Sequence, residues 1–121
     1  MRAGEHVWKV SIRYRSIDWD GTLLGVAEKP GLTANRENNW KQVYGWYSSG
    51  VKTILSKRYK HSLQKWQNND ILQFHLNCTN HTLTITNTRS AETDTITNLP
   101  LTELFAYFRT CNQGEALTLV P

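Results

Sequence analysis

The chain has 121 residues, 39% of them apolar, with five Trp, five Tyr and three Phe, which excludes a disordered chain and suits one domain with its own core over residues 1–121. No apolar run approaches the roughly 18 residues a membrane helix needs, and the N-terminus lacks a signal-peptide apolar core, so a soluble cytoplasmic protein, or a domain excised from a longer one, is expected, without membrane contact. The formal charge of +4 is unevenly spread: residues 38–69 contain no acid and hold Lys41, Lys52, Lys57, Arg58, Lys60 and Lys65, which leaves eight basic against ten acidic residues elsewhere.

In chain order, His6 to Tyr14 reads as a strand with Trp8, Val10, Ile12 and Tyr14 on one side and Lys9, Ser11 and Arg13 on the other. Residues 16–21 form a turn or loop with Asp20-Gly21 as its tight element. Thr22 to Glu28 follows as a strand, and its unbroken Leu23-Leu24-Gly25-Val26-Ala27 run suggests burial on both faces. Gly25 within it suggests a bulge or a close backbone approach. Lys29-Pro30-Gly31 stops that strand, and an Asn-rich loop runs from Leu32 to Asn39.

Val43 to Tyr47 is a short aromatic strand, turned back by Ser48-Ser49-Gly50 into a strand over Val51 to Leu55. Ser56 to Lys65 reads as basic and irregular. Asn68-Asn69-Asp70 turns into a hairpin whose strands alternate cleanly, Leu72, Phe74 and Leu76 in the first and Leu83 and Ile85 in the second. The link Cys78-Thr79-Asn80-His81 has hairpin length, with Asn80 as the residue suited to a positive φ. A lone hairpin is marginal in water, so this one should lie on another sheet.

Thr88 to Asp94 reads as a loop, Thr95 to Asn98 as a short strand, and Leu101 to Leu104 as one helical turn. Phe105 to Thr110 is a strand, Asn112-Gln113-Gly114 a turn, and Ala116 to Val120 the last strand, with Leu117 and Leu119 facing inward. No helix of ten or more residues is credible. Eight or nine short strands separated by turn signals argue for an all-β antiparallel sandwich.

Little in the chain supports catalysis. Asp18 and Asp20 lack the further acidic ligands that calcium needs. The four His, His6, His61, His75 and His81, have no metal-site spacing, and Cys78 with His81 is half a zinc site. No nucleophile elbow or glycine-rich phosphate loop occurs. The expectation is a protein that is not an enzyme and holds no metal or cofactor. Cys78 and Cys111 should be reduced thiols. The sequons Asn77-Cys78-Thr79 and Asn80-His81-Thr82 would matter only in a secreted chain.

Several landmarks, in order, resemble a known family. Gly4-Glu5-His6-Val7-Trp8-Lys9-Val10 is similar to an opening "G-x-H-x-W-x-V" strand, and Leu24-Gly25-Val26-Ala27 to an "LGVA" strand. Asn38-Asn39-Trp40 and Val43-Tyr44-Gly45-Trp46 resemble an "nGyW" segment and the strand after it. Asn69-Asp70-Ile71 resembles a "GD-(I/V)" lead, with Asn69 in place of Gly. Leu83-Thr84-Ile85-Thr86-Asn87 resembles "lsFyN", and Leu104-Phe105-Ala106-Tyr107-Phe108 resembles "LyPyf", with Ala106 in place of Pro. Together these resemble the SPRY domain, above all the PRY-SPRY type of tripartite-motif ubiquitin ligases and butyrophilin-like proteins. The PRY segment is missing or vestigial, and the Trp usually found before "LGVA" is displaced to Trp19.

The resemblance implies a bent, concanavalin-like jelly-roll sandwich of two sheets whose edge loops bind a peptide or folded protein. Carried over by position, the binding surface would draw on Asp18, Trp19 and Asp20; on Arg36 to Trp40, with Arg36, Asn39 and Trp40 foremost; on Lys57, Arg58 and Tyr59; and on Cys111, Asn112 and Gln113. Trp, Tyr and Arg are the residues that most often dominate binding energy. Trp8, Trp46 and Trp66 are expected in the core. Two other partners stay open: nucleic acid on the basic 41–65 surface, and a carbohydrate held by loop Trp, Asn and Asp.

Overall fold

The computed structural model describes residues 3–13, 22–28, 43–55, 57–61, 63–100, 103–110 and 116–120. Ten strands are present among them: β1 (Glu5–Arg13), β2 (Thr22–Ala27), β3 (Val43–Tyr47), β4 (Val51–Ile54), β5 (Lys57–His61), β6 (Ile71–Asn77), β7 (Thr82–Asn87), β8 (Thr93–Ile96), β9 (Phe105–Thr110) and β10 (Ala116–Val120). They form two antiparallel five-stranded sheets, one in the order β10-β1-β6-β7-β8 and the other β5-β4-β3-β2-β9. The described residues include no helix, and so none long and apolar enough to cross a membrane.

The hairpin β6–β7 sits in the first sheet, and its alternation sets the core. Leu72, Phe74, Leu76, Leu83 and Ile85 are buried, while the residues between them are half-buried. They meet Val10 and Ile12 of β1 and, across the sandwich, Leu24, Val26, Tyr44 and Trp46. Trp8 stacks on Phe74 with centroids 5.5 Å apart, and Trp46 approaches the same ring at 6.4 Å from the facing sheet. Such ring pairs add to the burial of area. Trp46 and Trp66 are fully buried, and Trp8 packs against the core from its rim.

The second sheet is apolar on both faces. Leu24 and Val26 point to the shared core, whereas Leu23 and Ala27 join Val43, Tyr47 and Tyr107 in a second buried cluster on the opposite face. All six residues of β2 are buried, as its continuous apolar run predicts. In this face Gly25 lies opposite Gly45. A Cβ on Gly25 would overlap the Tyr44 carbonyl oxygen and come 2.6 Å from the Gly45 Cα. The two strands pass too closely there for any side chain.

At the entry to the hairpin the Asp70 carboxylate gathers Gln67, Asn87 and Arg89, while the backbone of Asn69 and Asp70 bonds to Ile12 of β1. Asp70, at the mouth of β6, accepts hydrogen bonds from Arg89 Nε (2.7 Å), the Gln67 amide (2.8 Å) and Asn87 Nδ2 (2.9 Å). Its backbone carbonyl accepts from Ile12 N–H at 3.0 Å, and Asn69 N–H donates to the Ile12 carbonyl at 2.8 Å. Asn69 has φ 70°, a left-handed value that Asn tolerates better than most residues, which accounts for Asn where the resembling motif carries Gly. Burial pulls the Asp70 carboxyl upward. Hydrogen bonds from Arg89, Gln67 and Asn87, with the Arg89 charge, outweigh that and hold its pKa below the ordinary 3.8.

Several sequence expectations need correction. The basic stretch after Leu55 is not irregular: Lys57–His61 forms β5, paired to β4 with a register shift between Val51 and Thr53. An edge strand facing water on its polar residues leaves no apolar alternation to read. The positive φ in the β6–β7 link falls on His81 (57°), not Asn80, and the His81 carbonyl accepts from Leu99 N–H. The eighth strand begins at Thr93, two residues before the expected start, because Thr86 and Ile85 pair with Thr93 and Asp94. Glu103 and Leu104 lead into β9 without a helical turn; residues 101 and 102 lie outside the described set. Leu119, expected inward, is 62% exposed. It pairs with buried Val10, so it lies on the inward side, but its strand is the outermost of its sheet and the core does not reach it.

The two edges of the sandwich differ. At one, Asp94 of β8 accepts from Trp46 Nε1 of β3 at 3.0 Å and lies 3.5 Å from Lys52 Nζ of β4, linking the sheets. At the other, where β9 and β10 meet, Phe108 and Leu119 are exposed.

Candidate interaction surface

Of the nominated residues, Lys57, Arg58 and Tyr59 fall within the described structure. Asp18, Trp19, Asp20, Arg36, Asn39, Trp40, Cys111, Asn112 and Gln113 lie outside it, as does the expected turn at 112–114. Lys57, Arg58 and Tyr59 are consecutive on β5, and all three are exposed. β5 runs back along β4, with Lys57 paired to Ile54 and Arg58 to Thr53, and the reversal begins at Leu55. Leu55 takes φ 50° to make that reversal, a conformation that costs a Cβ-bearing residue about 1 kcal/mol.

The cations are held by neighbouring rings. Arg58 Cζ lies 4.5 Å from the centroid of Tyr47, a buried residue of the second apolar cluster. Lys57 Nζ lies 5.5 Å from the Tyr59 ring. At exposed sites such contacts are worth about 0.5–1 kcal/mol, enough to favour one rotamer. The sequence nominated Arg58 without its partner; Tyr47 was legible only as a strand residue. Leu55, 45% exposed at the hairpin tip, was also missed, and the two-residue gap between alternating and basic runs was the available signal.

The wider basic window is not a uniform cationic face. Lys52 is drawn to Asp94, while Lys65 is exposed on the connection to β6. Lys41 lies outside the described residues. Elsewhere His75 Nε2 lies 3.3 Å from Glu5 Oε1 across β1 and β6. Among the described residues no three His, Cys, Asp or Glu gather as metal ligands would, and Cys78 is a free thiol.

No protein-family model matches the sequence, and no curated protein is similar to it at a significant level. Solved structures are similar in fold. The SPRY domain of human HERC1 superposes with a TM-score of 0.76 at 17% identity, over 98% of this chain and 76% of that one. The fold is that of a SPRY domain. The TRIM65 PSpry domain gives a TM-score of 0.72 at 18% identity, covering 100% of this chain and 65% of that chain. Stonustoxin gives 0.70 at 14% identity, over 98% of this chain but 19% of its own. The chain thus spans about two-thirds of the TRIM65 domain and a fifth of stonustoxin. The two antiparallel five-stranded sheets are the sandwich that the motif resemblance implies.

Proposed function

We propose that the chain is a protein-interaction module that captures a peptide or a folded protein through the exposed strand β5 together with loops of its SPRY scaffold. The observation that carries this reading is the exposed Lys57-Arg58-Tyr59 run, held by ring contacts on a rigid sandwich of SPRY fold. Rigid sheets keep their own backbone groups paired and leave loops free to contact a ligand. The remaining stretches of the surface are residues 18–20, 36–40 and 111–113. The module acts by binding, with no reaction of its own. In the tripartite-motif ubiquitin ligases that the sequence resembles, such a module selects the substrate, and the same role is proposed for this chain.

Trp40→Ala tests the surface. A buried interface Trp typically loses about 2 kcal/mol or more on truncation, about 30-fold in affinity. The variant should keep the wild-type circular dichroism spectrum and lose the partners that the immobilised wild-type chain retains in quantitative mass spectrometry. Equal retention by both proteins would remove Trp40 from the surface.

A further inference from the structure

We infer that the outer edge of β5 takes an acidic, extended peptide segment as a further strand of its sheet. This rests on the interaction-module reading and specifies its mode and its partner chemistry. Three observations on one strand carry it.

The first is position. β5 is the outermost strand of its sheet, and among the described residues it pairs with β4 alone. An edge strand presents backbone N–H and C=O groups outward, the template on which an extended peptide adds. With no Pro in Lys57-Arg58-Tyr59-Lys60-His61, every residue keeps its donor.

The second is charge. Those five residues include three permanent cations and no acid. Like charges directly opposite each other across a ladder are unfavourable and opposite charges favourable. A second copy of β5 would set cation against cation, so this edge rejects itself. A strand carrying Glu or Asp at alternate positions is accepted. The lysines that guard an edge against aggregation thereby also choose the partner.

The third is preorganisation. Arg58 is held over Tyr47 and Lys57 lies beside Tyr59, so both cations occupy set positions on the exposed strand. Two apolar contacts lie at hand, Leu55 at the hairpin tip and Tyr59, 40% exposed. An acidic segment with intervening apolar residues matches that layout.

The test uses a synthetic seven-residue peptide of alternating Glu and Val, with hydrogen exchange read at the β5 amides by NMR. The peptide should slow exchange at β5. N-methylation of its alternate backbone nitrogens, which blocks the ladder and keeps the charge, should abolish that protection. Lys57→Gln with Arg58→Gln should weaken binding by about tenfold with the circular dichroism unchanged. Equal binding of the N-methylated peptide, or binding that leaves the β5 amides unprotected, would reduce the surface to diffuse charge and overturn the proposal. Absence of binding while the chain still captures Trp40-dependent partners would remove strand addition alone. Loss of both would remove the module reading as well.

Discussion

Gly25→Ala should unfold most of the protein under conditions where the wild type is folded. The added Cβ overlaps the Tyr44 carbonyl oxygen and presses on the Gly45 Cα at 2.6 Å, and both are backbone in a central strand. Overpacking a core costs about 1–3 kcal/mol when side chains can shift. Here a strand would have to move, between two apolar clusters packed on its two faces. A loss above about 3 kcal/mol is expected, against a total of about 5–15 for an ordinary domain. Gly4→Ala supplies the contrast: its Cβ would meet nothing within 4 Å, although its φ of +76° adds strain. That variant should lose about 1 kcal/mol. Urea midpoints for the two read the difference, and matching midpoints would refute the close approach as the reason for glycine.

Asp70→Ala should be the most damaging polar substitution among the described residues, at about 3 kcal/mol. The side chain of Asp70 is 1% exposed, whereas that of Arg89 is 41% exposed. Removing one partner of a buried pair costs about 3–5 kcal/mol, and the lower end applies because Arg89 can turn to water. What remains unsatisfied is the Gln67 amide and the buried Asn87 side chain. The same carboxylate gives a pH signature. Its folded pKa lies below 3.8, so the unfolded chain takes up the proton first as pH falls. Its contribution is complete above about pH 4 and fades as pH drops through the lowered folded value. Thermal midpoints of the wild type should therefore fall below pH 4 more steeply than those of Asp70→Asn. Parallel curves would mean that Asp70 carries no linked proton.

How much of this could be read in advance depends on whether a residue faces a core. Val10 and Ile12, Leu72 to Leu76, and Leu83 with Ile85 alternate because one side is buried, and their strands were legible. β5 was not, since an edge strand gains its order from ladder bonds to β4, and Lys57-Arg58-Tyr59 has no apolar rhythm. Leu119 marks a subtler limit: alternation gives the side a residue faces, and only the sheet order tells whether anything lies there. His81 in place of Asn80 at the positive φ belongs to the same class, because the Leu99 amide that meets its carbonyl is distant in sequence. For the interaction surface, the family resemblance pointed to the triplet now exposed on β5, but the ring beneath Arg58 comes from β3 and needed the fold to bring it there.

The bond from Trp46 to Asp94, with Lys52 beside it, works as the spine of a book. Phe108 and Leu119 lie exposed on the fore-edge, where β9 meets β10. The leaves should part from that side first, so β10 amides should exchange with deuterium before those of β8. The reverse order would mean that the polar fastening is the weaker margin.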